Sequence, residues 1–354
     1  MMRLPDFRYV KAGTVADAAA ALADHPPGEA MLLAGGTDLL PNMKRRQQTP
    51  KVVIGLRHVP ELRAIGNGRG MTLGAGLTLA SLATDPRIKK RYPGLFQAAA
   101  QIATPHLRNM GTLGGNLCLD TRCNYYDQNY EWRQAIGFCM KKEGDTCWVA
   151  PGSDRCLAVS STDTAPMLVA LGARITLVSR KDGERTLPLA DLYRNDGIHH
   201  LTRRPDEVLT AVHLDDAPGW RSTYWKLRRR GSFDFPVLSV AAAVKTAEDG
   251  TVEAARLVLG AVASRPVEAT RAAEALLGKP LTDAAIAEAA RLAHADAKPM
   301  DNTDFVLHWR KRVTREFVTF ALRELRGDDL GDTRRRYGRQ DLVRIGGATR
   351  SPHP

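Results

Sequence analysis

The chain has 354 residues, 44% of them hydrophobic and 25% charged, with five cysteines and a formal net charge of +12. That length suggests two or three domains and that balance excludes a disordered chain, while few, clustered and odd-numbered cysteines exclude a disulfide-stapled secreted scaffold. The charge would suit nucleic acid, a membrane surface or an acidic partner, and selects none of them.

No apolar core of signal-peptide length opens the chain, and no uncharged apolar run approaches the roughly 18 residues of a spanning helix. The expected setting is therefore a reducing cytoplasm, without membrane contact. Residues 1–60 read as a small α/β unit. Thr14 is placed to cap a helix through TVADAAAALAD, and the short apolar runs MLLA and KVVIGL follow as strands. A second unit, 61–226, opens with the strand-like MTLGAG. Thr78 is then placed to cap LASLA, LFQAAAQIA and APMLVALGA read as helices, and RITLVS reads as a strand. Within it, 119–157 keeps neither helical nor strand period, and a structureless loop of that length needs something to pin it. In the third unit, 227–326, VLSVAAAV and ARLVLGAV pair as strands. Three helices follow: PVEATRAAEALLG, TDAAIAEAARLAHA and DFVLHWRKRVTREFVTFALREL. In the last, Val306, Trp309, Val313, Phe317 and Phe320 fall on one face. The remainder, 327–354, reads as an extended or disordered basic tail.

Two glycine-rich turns carry the first functional signal. MLLAGGTDLLPNMK sets Gly35-Gly36 directly behind a strand, where bare backbone N–H groups can converge on an anion and Thr37 adds a hydroxyl; a tight hairpin turn is the plainer reading. GTLGGN, from Gly111 to Asn116, is a second such turn, preceded by Arg108 and Asn109. Neither fits the Walker pattern or GxGxxG, and GAGLTL has Leu79 where a third glycine belongs. Two separate turns of this kind suit a ligand with a pyrophosphate and two polar ends, such as a dinucleotide.

AGGTDLLPNMK, then TLGGN, then DTAPMLVALGARITLVSR, together with the C-terminal helices, resemble the flavin-binding subunits of the molybdenum hydroxylases, the relatives of xanthine dehydrogenase and of the medium subunit of carbon monoxide dehydrogenase. The resemblance covers nearly the whole chain in the same motif order. It implies an α+β fold: a two-part FAD-binding domain of the vanillyl-alcohol oxidase (PCMH) type, followed by a smaller α/β C-terminal domain like that of the carbon monoxide dehydrogenase flavoprotein. It also implies a set of FAD contacts. Leu32, Leu33, Ala34, Gly35, Gly36, Thr37, Asp38 and Leu39 would wrap the pyrophosphate, and Thr112, Leu113, Gly114, Gly115 and Asn116 would form the second flavin-contacting turn. Ile102 and Leu209 match further contacts. Asp163 matches an acidic residue at the nucleotide end, or else caps the helix that follows it. Lys226 stands where the family has a lysine beside the flavin ring, or else is a solvated charge next to Arg228, Arg229 and Arg230.

Cys123, Cys139, Cys147 and Cys156 are separated by 16, 8 and 9 residues, all in the irregular stretch. No CxxC occurs, which argues against a zinc knuckle and against a bacterial ferredoxin run. Four thiolates complete the ligand set of a [4Fe–4S] cluster and would pin the loop; unrelated loop cysteines are the alternative. Cys118, in NLCLD, reads as a packed residue rather than a ligand. His106 stands near the second turn, and His199-His200 reads as a loop. An insertion with this four-cysteine pattern resembles the β-subunit branch of 4-hydroxybenzoyl-CoA reductase.

That branch implies a subunit with no catalytic side chain of its own, placed in a doubled assembly of three kinds of subunit (a dimer of heterotrimers). A large partner would carry molybdopterin and a small one [2Fe–2S] clusters. Electrons from a reduced ferredoxin would pass through [4Fe–4S] and FAD to the partners, for the reductive dehydroxylation of 4-hydroxybenzoyl-CoA to benzoyl-CoA. The alternative is a flavin subunit with oxidative flow, serving an aldehyde, N-heterocycle or aryl substrate. Nucleic-acid binding has only the charge and the Arg-rich tail behind it, with aromatics at 6% and no base-reading module.

Overall fold

The computed structural model describes residues 3–231 and 233–337. Three sheets organise them. The first is parallel, in the order β1-β3-β2, from β1 (Arg8–Lys11), β2 (Ala30–Leu33) and β3 (Val52–Gly55). Helix Val15–Ala23 crosses between its strands. Thr14 Oγ1 accepts from Asp17 N while the Asp17 carboxylate accepts from the Thr14 backbone, a reciprocal cap. Its Ala18, Ala19 and Leu22 pack on Val52 and Ile54.

The second sheet is antiparallel throughout, in the order β4-β5-β8-β6-β7. Its strands are β4 (Ile65–Asn67), β5 (Met71–Gly74), β6 (Arg174–Ser179), β7 (Gly183–Pro188) and β8 (Val208–Leu214). Thr78 caps Leu79–Leu82, as its hydroxyl spacing predicts, and helices Pro93–Ala100 and Thr164–Ala170 bury Leu95, Ala98, Met167 and Leu168 in this unit's core.

The third sheet, β12-β11-β10-β9, is also antiparallel, from β9 (Trp220–Leu227), β10 (Leu238–Thr246), β11 (Val252–Gly260) and β12 (Val267–Glu268). The boundary set between 226 and 227 thus runs at the far end of β9. Val267 pairs with Leu259, so the helix read through PVEATRAAEALLG begins only at Thr270. Helices Asp283–Asp296 and Leu307–Arg326 cover the sheet.

Two expectations need correction. Of the stripe expected on the long helix only Val306 falls away, as the exposed N-cap: Val313 and Phe317 are buried, Trp309 and Phe320 pack partly buried on the same core, and the buried face also takes in Arg310, Ala321 and Leu325. Arg310 takes a core position because its guanidinium donates to the carbonyls of Val237, Ala261 and Met300 at 2.6–2.9 Å. The tail is not extended throughout. Helix Gly331–Arg336 docks on the third unit with Arg334 fully buried; residues 338–354 lie outside the described residues. Among the described residues no helix is long and apolar enough to cross a membrane.

Candidate functional site

A cavity of about 840 Å³ opens between the first two units, within the size range of small-molecule sites. Its first wall is the turn after β2. Gly36 has φ +73°, which only glycine adopts without strain, and a Cβ on Gly35 would collide with the carbonyl of Met110. The first glycine turn therefore packs backbone-to-backbone against the residue that introduces the second. There, Thr112 Oγ1 accepts from Gly115 N at 3.1 Å and caps Leu113–Leu117, while Gly114 N donates to the Ala75 carbonyl at 2.7 Å.

The residues singled out from the sequence mostly converge here. Leu32, Leu33, Ala34, Gly35, Gly36, Thr37, Asp38, Leu39, Ile102, Thr112, Gly114, Gly115, Asn116, Asp163 and Leu209 line the cavity. Leu113 stands behind it, buried in the second unit's core. Asn116 is already engaged, since its Oδ1 accepts from Thr162 Oγ1 (2.8 Å), Thr164 N (3.1 Å) and Thr164 Oγ1 (2.6 Å), which ties the second turn to helix Thr164–Ala170.

Asp163 lines the cavity, and Lys226, which does not, is buried against it. Asp163 makes no capping hydrogen bond; its Oδ1 accepts from Tyr224 Oη (2.8 Å) and its Oδ2 from Lys226 Nζ (3.0 Å). Lys226 is not solvated but fully buried, and it also donates to the Gln101 carbonyl at 3.2 Å. Burial pushes the Asp163 carboxyl up and the Lys226 ammonium down, each against the attraction of the other. Asp163 is thus a lining residue whose carboxyl is fixed by the lysine.

Several lining residues escaped the sequence reading, among them Arg122, Asp120, Arg203, Phe233 and Phe235. Phe233 and Phe235 are about half exposed at the rim, and SFDFP after an arginine run was their only signal. Cys118 packs against the second unit's core, as its alternation predicts, but it also borders the cavity. His106 is exposed outside it.

Beside this cavity stands the cysteine stretch. It is not structureless: Asn129 caps helix Tyr130–Ala135, and Arg122 and Val159 bridge its two ends. Cys123, Cys139, Cys147 and Cys156 are all buried and all free thiols. Cys123, Cys139 and Cys156 share one cluster with Tyr126 and Ala158, and Cys147 lies within electrostatic reach of Cys156. Burial pushes the Cys123 thiol up to about 12 and the Cys156 thiol to about 11. Phe138 and Glu143, flanking Cys139, hold left-handed φ values of 61° and 70°, a strained loop for non-glycine residues. Among the described residues, no group of three or more His, Cys, Asp or Glu is placed to hold a metal ion.

A parallel sheet and an antiparallel sheet enclosing a cavity walled by two glycine turns define a nucleotide-binding α+β protein with a separate C-terminal unit. Residues 5–215 match the family described as the FAD binding domain in molybdopterin dehydrogenase, and residues 222–325 match the carbon monoxide dehydrogenase flavoprotein C-terminal domain. The chain is 32% identical to the "Aldehyde oxidoreductase FAD-binding subunit PaoB" of Escherichia coli (strain K12) over 73% of its length and 82% of that protein. It is 29% identical to the "Carbon monoxide dehydrogenase medium chain" of Afipia carboxidovorans over 83% of its length and 87% of that chain. The crystal structure of the cyanide-inactivated Cu,Mo-CO dehydrogenase superposes with a TM-score of 0.75 at 26% identity, covering 91% of this chain and 98% of that one. The chain belongs to the family of FAD-binding subunits of the molybdenum hydroxylases, which are oxidoreductases.

Proposed function

We propose that this chain is an electron-transfer subunit that holds FAD in the 840 Å³ cavity and a [4Fe–4S] cluster on Cys123, Cys139, Cys147 and Cys156. The carrying observation is that four buried free thiols belong to a stretch whose Leu119, Asp120 and Arg122 line the glycine-walled cavity. The cavity residues fit FAD, and the four thiols supply the donor chemistry of a cluster, although among the described residues no three of them are gathered to hold a metal ion. The cavity offers backbone N–H groups, the Thr37 hydroxyl and the fixed Asp163. The donor set of the loop suits a polynuclear cluster better than a single ion, because one thiolate per iron spreads the sulfurs around a cube instead of focusing them on a point. Protonated, buried thiols would release protons on binding iron.

When bound, FAD supplies exchange of electrons singly or in pairs. The chain's own residues position and insulate. Tyr224 and Lys226 fix the Asp163 carboxyl, Ile102 and Leu209 give the cavity apolar lining, and Asn116 anchors the second turn. Partners follow from the relatives' organisation: a large molybdenum subunit and a small iron–sulfur subunit.

Two directions of flow remain as readings. The relatives' names, an aldehyde oxidoreductase and a carbon monoxide dehydrogenase, support oxidative flow from an aldehyde, N-heterocycle or aryl substrate. The four-cysteine insertion favours the reductive reading, a 4-hydroxybenzoyl-CoA reductase type fed by ferredoxin, because reducing a phenolic ring needs a low-potential donor and thiolate-bound clusters reach low potentials.

Flavin, iron and sulfide counts on the purified chain test the cofactors. One FAD with four irons is expected, and replacing the four cysteines by Ser should remove the iron while FAD is still taken up when supplied at saturation. FAD without iron would sink the cluster. With the partner subunits present, benzoyl-CoA formation from 4-hydroxybenzoyl-CoA with reduced ferredoxin supports the reductive reading; its absence together with aldehyde or heterocycle oxidation supports the other.

A further inference from the structure

We propose that Arg122 is a positioning residue that couples the cysteine loop to the glycine-walled cavity, so that ordering one strengthens ligand binding in the other. Arg122 precedes Cys123 and closes the neck of the insertion. Its N–H donates to the Val159 carbonyl at 2.8 Å and its carbonyl accepts from Val159 N at 2.7 Å, three residues beyond Cys156. From that neck its side chain, 9% exposed, crosses to the first unit. One arm of the guanidinium donates to Asn42 Oδ1 (3.1 Å) and to Asp127 Oδ1 (3.3 Å), and the other pairs with Asp38 in the first glycine turn. Asp127 Oδ2 in turn accepts from the backbone N–H of Cys123 at 3.3 Å. The face of the guanidinium lies 4.9 Å from the Phe235 ring on the cavity rim.

The same grip is repeated alongside. Arg133 of the insertion donates to the Arg45 carbonyl (2.9 Å), Gln47 donates to the Tyr126 carbonyl (2.6 Å), and Gln48 donates to Asp120 (3.3 Å). The chain from Asp38 to Gln48 is thus held by the loop that bears the cysteines. Without the Arg122 charge, Asp38 and Asp127 face each other with their shared cation gone, which loosens both segments at once. Coupling of this kind is reciprocal: what orders the loop tightens the cavity, and the reverse.

The identity of the two ligands rests on the function proposed above, and the coupling itself does not. The test uses the full chain in four forms: wild type, Arg122→Met, all four loop cysteines changed to Ser, and the two combined, with Arg122→Lys as the variant that keeps the charge but not the fork. Amide exchange over 36–47 and FAD affinity are measured in each, after incubation with iron and sulfide. Arg122→Met is expected to weaken FAD binding about tenfold, the scale of one lost charge-assisted hydrogen bond, and to speed exchange over 36–47. The serine changes should do likewise in the wild-type background and add nothing once Arg122 is gone, with Arg122→Lys intermediate. Additive effects, or wild-type exchange and affinity in Arg122→Met, would overturn the coupling. If the wild-type chain takes up neither FAD nor iron, the proposed function fails, and the exchange measurements alone still decide the coupling by the same criterion.

Discussion

At Lys226 the neighbouring Arg228, Arg229 and Arg230 suggest a solvated charge, yet the side chain is sealed in the core by the pairing of β9 with β10 and by Asp163. Alternation along a strand fixes which side chains share a face, and not whether that face is covered, so the sequence could not tell the two cases apart. Breaking a buried pair by removing one partner strands the other. Lys226→Met should therefore cost about 3–5 kcal/mol in urea unfolding, and adding Asp163→Asn should recover part of it. No recovery in the double variant would show that the pair is not the source of the loss. Gly35 is a different case: the pair behind a strand marks a bare-backbone turn in the sequence, and the close approach of Met110 is what distinguishes it from a plain hairpin turn. Gly35→Ala drives a methyl into the Met110 carbonyl and should part the two turns, lowering FAD affinity at least about tenfold with little change in the far-ultraviolet circular dichroism.

Among elements, those with local signals were legible. Thr14, Thr78 and Thr282 each start a helix where a hydroxyl precedes an apolar-periodic run. The helix Gly331–Arg336 was not, since RRR in a glycine- and aspartate-rich stretch looks like a solvated tail. Its burial depends on a distant partner: Arg334 donates to Glu324 (2.9 Å) and Thr223 (2.9 Å) and lies 4.0 Å over the Trp225 ring. Arg334→Met should destabilise the chain by about 3 kcal/mol or more, seen as a lowered urea midpoint; an unchanged midpoint would return this helix to the surface. A second element-level case is Glu207, just before β8. Burial would raise its carboxyl, but the Arg185 fork at 2.6 and 2.9 Å and the Arg204 N–H at 2.7 Å outweigh it and hold it below its ordinary value. A depressed carboxyl stabilises the fold fully above its unfolded value, near 4.5, and loses that contribution as pH falls. The stability gap between wild type and Glu207→Gln should therefore be widest near neutrality and narrow below about pH 4.5; a gap that is constant with pH would refute the assignment.

For the whole molecule, motif order carried the family: taken alone, a glycine pair also suits a hairpin and the cysteines also suit a plain loop, and only their order along the chain narrows the choice. The assembly of the cavity was out of reach. Its walls come from the first unit, the second unit, the neck of the insertion and the rim at Phe233–Phe235, and no local pattern records which distant segments meet. A cavity built this way stabilises the folded chain when filled: FAD at about a hundred times its dissociation constant should add about 2.7 kcal/mol, and removing it should return the thermal midpoint to that of the empty chain. An unshifted midpoint at saturating FAD would mean that the ligand binds the unfolded chain equally well or does not bind.

The scattered origin of the walls also has a meaning for how the protein is made. During synthesis the first glycine turn emerges early, the second follows, and Asp163 comes later. The strand bearing Lys226, which fixes Asp163, and the rim at Phe233–Phe235 come later still. A nascent chain stalled before that strand has two turns and an unanchored carboxyl, but no closed cavity. Closure of the cavity is thus a late step of biogenesis, reached only after the whole cysteine insertion has left the ribosome.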